Sequence, residues 1–337
     1  MRLRDERPDP MEKAARLHEA DVQIYRAHDA LRRDYTAAPR LPWDAVHDLT
    51  GAFLPGQWWV LAAHTGRGKT TLAMNILSAL ARQGRRVTMM ALEQDQETMR
   101  ATWAAVTLGY PVSRVLEHRW SELPAGAEAA VHDHLDAQFL NHHDLVRFGD
   151  ERFLDAATLP AVVEREAEGG AELIVIDHLH RLAEPGYQGV SAAAKALTEA
   201  ARASDIPILC TAQLGMGPER DPVRPFLPPQ IEDIYGSGVV AQECWVALGV
   251  YWPLGVHGKE DLAAIRRRER EARDILEPNT LAVRVMKHRV RGGDALGRIV
   301  KLTYRHGQIV DPETEHRTAI EERESDFTRG DAYEDAR

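Results

Sequence analysis

The chain has 337 residues, 44% of them hydrophobic, which is enough for a sizeable core and for one large α/β domain with arms, or about two domains. A formal charge of −10 excludes a protein that coats nucleic acid over its whole surface, while leaving room for a local basic channel. Two cysteines, Cys210 and Cys244, exclude a disulfide framework and a paired-cysteine metal site. Both fall in apolar runs that read as buried free thiols of a reducing cytoplasm, and no run approaches the ~18 apolar residues of a membrane span.

Residues 1–10 are charged and hold two prolines, which predicts a flexible start. Residues 11–33 carry a helical pattern with Leu17, Ile24 and Leu31 one heptad apart. Its narrow apolar seam fits a helix packed on its own domain or an arm docked on a neighbouring subunit. Ala37 to Pro42 ends it.

From Trp43 onward strands and helices alternate, which predicts a mostly parallel sheet flanked by helices. Trp58 to Ala62 reads as a buried strand and Leu72 to Leu80 as a helix. Between them lies Ala63-His64-Thr65-Gly66-Arg67-Gly68-Lys69-Thr70-Thr71, a phosphate-binding loop in the strand–loop–helix context it needs. Gly66 and Gly68 let backbone N–H groups close around phosphate oxygens, with Thr65, Arg67 and Thr71 completing the loop. Lys69 is placed to reach the β- and γ-phosphates of ATP and the Thr70 hydroxyl to hold Mg²⁺.

Arg86 to Leu92 reads as the next strand, with Glu93 at its carboxyl end, where α/β sheets hold their ligand chemistry. After a helical stretch through Met99 and Arg100 comes a less regular region to about Asp150. It includes a predicted short strand, 137–141, flanked by His132, His134, His142 and His143, which read as solvated residues. A helix is expected over 155–167. Leu173 to Ile176 followed by Asp177 is the pattern of a strand-end carboxylate that serves magnesium. His178 and His180, just beyond, read as polar loop residues or as lining for the site or a channel.

An Ala-rich helix runs to about Ala203, and Pro207 to Gln213 forms a strand with Gln213 at its exit. A Pro-rich loop occupies 217–230, Glu243 to Tyr251 reads as a strand, and 260–276 as a helix of mixed charge. Leu281 to Lys287 and Gly297 to Tyr304 predict a terminal hairpin. The tail beyond Asp311 is charged and poor in large apolar residues. The expected organisation is therefore a start and helix over 1–40, an α/β nucleotide-binding domain over 41–311 and a disordered tail over 312–337.

This order of motifs resembles the motor domain of DnaB-type replicative helicases, within the RecA-like ring ATPases, over roughly residues 41–311. Ala62 to Asn75 is similar to the family's phosphate loop and helix, and Ala91-Leu92-Glu93 to its Ser-Leu-Glu motif, whose glutamate polarises the attacking water. Ile174 to Leu182 resembles its magnesium-carboxylate strand, which implies Thr70 and Asp177 as metal residues. Thr211-Ala212-Gln213-Leu214 resembles its sensor motif. Lys287-His288-Arg289 before Gly292 is similar to its Lys-Gln-Arg-Asn-Gly hairpin, whose lysine and arginine reach the next subunit's ATP site. A spacing of two on a strand puts Lys287 and Arg289 on one face.

The resemblance implies a RecA-like P-loop ATPase fold, a hexameric homo-oligomer with a shared ATP site, single-stranded DNA as substrate, and a loader or other replication partner. The resemblance starts at about residue 41, so a counterpart of the family's globular N-terminal domain is not expected within these 337 residues. The family's DNA-contacting loop, Asp-Leu-Arg-Glu-Ser-Gly, corresponds to Asp233-Ile234-Tyr235-Gly236-Ser237-Gly238, so Arg and Glu have become Tyr235 and Gly236. Backbone contacts from Gly236, Ser237 and Gly238 and base stacking on Tyr235 remain available. That altered loop and the acidic charge keep open a second reading, a RecA-like ATPase that assembles or regulates a protein partner, and a third, a nucleotide-binding scaffold.

Overall fold

The computed structural model describes residues 32–140, 145–149, 154–215, 223–255 and 276–312. The chain divides into two units, Met1–Ala38 and Pro39–Arg337. In the first, Ala38 N–H closes a turn on the Tyr35 carbonyl at 3.0 Å and Thr36 N–H donates to Asp34 Oδ1 at 2.9 Å. The helix expected over 11–33 falls outside the described residues apart from its last two positions, as do the helix expected over 260–276, apart from Leu276, and the tail from 313.

The second unit is built on a nine-stranded sheet in the order β3-β2-β4-β5-β1-β6-β7-β8-β9. The strands are β1 (Trp58–Ala63), β2 (Val87–Ala91), β3 (Val146–Gly149), β4 (Leu173–Asp177), β5 (Ile208–Gln213), β6 (Val246–Tyr251), β7 (Thr280–His288), β8 (Ile299–Arg305) and β9 (Gln308–Val310). The first six pair in parallel and the last three add antiparallel. The alternation predicted from the sequence is therefore a parallel sheet with an antiparallel carboxyl-terminal extension.

Strand β1 is buried at all six positions, as a strand covered on both faces must be. Its side chains divide by period two. Trp59, Leu61 and Ala63 join the core under α2 (Lys69–Arg82), while Trp58, Val60 and Ala62 join the core under α8 (Tyr187–Ser204). Helix α2 buries every residue from Leu72 to Leu80, and each large side chain there contributes about 1.5–3 kcal/mol. The indoles keep partners: Trp58 Nε1–H donates to Thr198 Oγ1 at 2.9 Å and Trp43 Nε1–H to the Ile309 carbonyl at 2.8 Å. Trp43 precedes α1 (Asp44–Thr50), so the segment leading into the sheet is pinned to its far edge.

Several expectations are corrected. Residues 137–140 are not a strand but the end of α5 (Ala127–Leu140). Val131 and Leu135, spaced by four, pack with Ala104, Ala105 and Val115, and that helical stripe outweighs a short apolar run at its end. Ala104 and Ala105 lie on α3 (Gln96–Leu108), Val115 on α4 (Val112–Leu116). The helix expected from 155 starts at Leu159 as α6 (Leu159–Glu168), because Asp155 Oδ1 takes the Ala157 and Thr158 N–H groups into a turn first. The strand expected from Glu243 starts at Val246, since Glu243 is the last residue of α9 (Ser237–Glu243). Strands β3 and β9 were not read from the sequence. Strand β9 follows a two-residue turn in which His306 and Gly307 have φ of 48° and 90°, the left-handed pair a tight hairpin needs.

Candidate nucleotide-binding site

Parallel β1, β2, β4 and β5 bring their carboxyl ends to one rim of the sheet, and the sequence motifs end there. Beyond Ala63 the loop His64–Gly68 turns back through Arg67 N–H on the His64 carbonyl at 3.1 Å. Gly68, at φ 91°, stands at the start of α2, which has no side-chain cap, so its first N–H groups and the positive end of the helix dipole are left for another acceptor. A Cβ on Gly68 would sit 2.9 Å from Leu281 Cδ1, so a side chain there would strain the backbone and push Leu281 of β7 aside. The Arg67 guanidinium lies 4.1 Å over the Phe226 ring, and Gln213 Nε2–H donates to Thr65 Oγ1 at 2.8 Å, tying the loop to the exit of β5. Burial holds the His64 imidazole below its ordinary pKa; Arg224 and Arg67 add to this, and Asp233 opposes them.

Asp177 closes β4 and is 5% exposed. Its carboxylate accepts from Thr70 Oγ1 at 2.9 Å and from Thr211 Oγ1. A carboxylate and a hydroxyl form a hard oxygen set that suits Mg²⁺, an ion that keeps several waters and takes its other ligands from phosphates. Among the described residues no group of three or more His, Cys, Asp and Glu is placed to hold a metal ion. Thr211 was missed as a site residue, although its place two positions before Gln213 on one strand put both on the same side.

Glu93 follows β2. The register Ala91↔Asp177 and the bond from Leu92 N–H to the Asp177 carbonyl at 2.9 Å set it beside the start of α7 (Leu179–Leu182). There Glu93 Oε1 lies 3.0 Å from His178 Nε2 and 3.8 Å from Arg181 Nε. The His180 ring stands edge-on to His178 at 5.6 Å and lies 6.0 Å from the Tyr235 ring. Burial lowers the His180 pKa, and His178 and Lys69 lower it further.

The loop 233–238 leaves β5's neighbourhood through the Leu214↔Ile234 bridge and the bond from Gly215 N–H to the Asp233 carbonyl at 2.8 Å. The Asp233 carboxylate accepts from Arg224 and from Gln230 N–H, while Tyr235 is 54% exposed. Gly236, Ser237 and Gly238 form the start of α9.

Lys287 and Arg289 lie at the opposite end of that helix. Lys287 Nζ donates to the Ala241 and Cys244 carbonyls, and Arg289 to those of Gln242 and Glu243. Arg289 also lies 5.1 Å from the Trp245 ring centroid. The pair shares one face, as its spacing predicted, although β7 closes at His288 and Arg289 stands one residue past it. Cations at the carboxyl end of a helix complement its dipole and satisfy its last carbonyls. Burial lowers the Lys287 pKa and raises the Cys244 thiol to about 11. The turn that carries Arg289 exposes Val290, Leu296 and Ile299.

A family model described as the DnaB-like helicase C terminal domain matches residues 43–306. The chain belongs to that family. The family match runs from Trp43, at the entry to α1, to the end of β8, so it takes in the phosphate loop, the strand-end carboxylates and the Lys287–Arg289 hairpin. The chain is 26% identical over 212 residues to the replicative DNA helicase DnaB of Treponema pallidum (strain Nichols), a match spanning 60% of this chain and 45% of that relative. It thus spans about half the length of the curated relative. Two solved structures share the fold at 16% identity. One is a DnaB-like replicative helicase described with its interactions with primase, with a TM-score of 0.64 over 87% of this chain and 66% of that one. The other is described as an ATPase domain, with a TM-score of 0.65 over 88% of this chain and 98% of that one. The fold is that of the RecA-like P-loop ATPases.

Proposed function

We propose that this chain is the motor of a ring-forming, hexameric Mg-ATP-dependent helicase that moves on single-stranded DNA. The observation that supports the reading is that the candidate residues fall into two groups. Lys69, Thr70, Asp177, Glu93 and Gln213 belong to one rim of the sheet, while Lys287 and Arg289 engage the carbonyls of α9 on a hairpin whose tip bears exposed Val290, Leu296 and Ile299. An apolar tip beside an arginine suits burial against a second copy of the chain.

In this reading the α2 N-terminus and Lys69 bind the phosphates, and Mg²⁺, held through Thr70 and Asp177, neutralises their charge when bound. Glu93 orients a water whose oxygen bonds to the γ-phosphorus as the bond to the β–γ bridging oxygen breaks, giving ADP and phosphate. Gln213, bonded to Thr65, senses the γ-phosphate, and Lys287 and Arg289 of a neighbouring copy stabilise the transition-state charge. The domain spans 41–311, and backbone groups of Gly236, Ser237 and Gly238 with the Tyr235 ring contact the strand. A replication partner such as a primase or loader, and a cytoplasmic setting in keeping with the buried thiols Cys210 and Cys244, complete the reading.

The test is turnover with and without single strands, together with strand separation on forked DNA. Stimulation and unwinding are expected; ATP hydrolysis with neither would overturn the motor. A second reading, an ATPase that regulates a protein partner, draws on the absence of a cation from residues 233–238. Salt-sensitive binding to single strands would count against it.

A further inference from the structure

Glu93 is not fixed by burial, since its side chain is 40% exposed. An exposed carboxylate samples several rotamers, whereas orienting a water demands one. Among the described residues His178 and Arg181 reach it, both on Oε1. Arg181 is the weaker: its Nε is 3.8 Å away and its side chain 58% exposed, so the pair is solvent-screened and contributes little. His178 is the stronger. Its Nε2 is 3.0 Å from Oε1, and its side chain is only 6% exposed. The ring is packed edge-on against His180, and its Nδ1 is buried without a hydrogen-bond partner among the described residues. The imidazole is therefore held by packing and by Glu93.

We propose that His178 is a positioning residue for Glu93: its buried Nε2–H fixes one carboxylate oxygen and leaves Oε2 to face the water. The inference rests on the reading of Glu93 as the water-orienting carboxylate. A carboxylate oxygen can only accept, so the short contact requires the hydrogen on Nε2. The sheet supplies the geometry, because β2 and β4 are paired through Ala91↔Asp177 and the residues just past that pair are Leu92, Glu93 and His178. Arg181 N–H closes α7 on the His178 carbonyl at 2.9 Å, which fixes the backbone that carries the ring.

The experiment compares His178→Ala, His178→Gln, Glu93→Gln and the Glu93→Gln/His178→Ala double variant in the full chain. Readouts are kcat, KM, affinity for a non-hydrolysable ATP analogue, and crystal structures with that analogue. His178→Ala is expected to lower kcat about 10- to 100-fold, the scale of a misplaced catalytic group, with KM and analogue affinity unchanged. His178→Gln, which keeps a donor at similar reach, should restore most of kcat. In the Glu93→Gln background His178→Ala should cost nothing further. The crystal structure of His178→Ala should show the Glu93 carboxylate moved from its wild-type position.

If Glu93→Gln abolishes turnover while His178→Ala keeps wild-type kcat, the positioning role is overturned and the reading of Glu93 stands. If Glu93→Gln keeps full turnover, both fall together. Equal losses in kcat and analogue affinity for both His178 variants would mean a structural role only, and would also overturn the proposal.

Discussion

Asn75 is a polar side chain inside the buried run Leu72–Leu80 of α2, and both its polar atoms are used. Its Nδ2 donates to the Thr71 carbonyl at 2.8 Å and to the Gly307 carbonyl at 2.7 Å, while Oδ1 accepts from Ile309 N–H at 2.9 Å. It therefore fastens α2, the helix that opens on the phosphate loop, to the β8–β9 turn. Asn75→Leu keeps the bulk and strands two buried backbone groups of that turn. It should lower unfolding free energy by on the order of 2–3 kcal/mol, read by chemical denaturation, and should weaken analogue binding less than Lys69→Ala, which is expected to abolish it. A stability equal to wild type would mean that the turn relaxes to water.

At the scale of an element, the turn after β7 depends on one imidazole in one state. His288 Nε2–H donates to the Thr50 carbonyl at 3.0 Å, and its Nδ1 accepts from the N–H groups of Val290 and Arg291 at 3.2 and 3.0 Å. Only the neutral ring can do both. Burial lowers its pKa from 6.5, the charge of Arg291 lowers it further, and the Thr50 bond opposes them. The sign follows: the unfolded chain takes up the proton first, so this stability is fully present above about pH 6.5 and is lost as pH falls through the lowered folded value. His64, His134 and His180 are shifted the same way by burial and add to the acid-side loss. Melting temperature should therefore fall on acidification below about pH 6.5, and the fall should be shallower in His288→Gln. An unchanged slope in that variant would remove His288 from the account.

For the whole molecule, the two groups of candidate residues make a prediction about assembly. Arg289→Ala should bind nucleotide and lose turnover, and Glu93→Gln should do likewise. Mixed together, they should recover part of the activity, because some interfaces then pair an intact Glu93 with an intact Arg289 from another copy. Steady-state hydrolysis over a range of mixing ratios reads this directly. No recovery at any ratio would mean that each chain completes its own site.

The sequence by itself determined the parts whose signal is local. The phosphate loop, Glu93 just past β2, Asp177 at the end of β4, the Gln213 exit and the β7–β8 hairpin each sit in a short window where spacing dictates conformation, and the structure puts these residues at the element ends the pattern predicted. Tertiary structure decided what depends on neighbours far along the chain. Residues 137–140 became helical because Ala104 and Ala105 offered a surface to Val131 and Leu135 of the same helix. Thr211 and His178 became part of the site because pairing of β4 with β5 and β2 set them against Asp177 and Glu93. Lys287 and Arg289 met the end of α9 because β7 pairs with β6, the strand that follows that helix. Register between strands separated by many residues is fixed by the packed sheet as a whole, and no short window of sequence contains it.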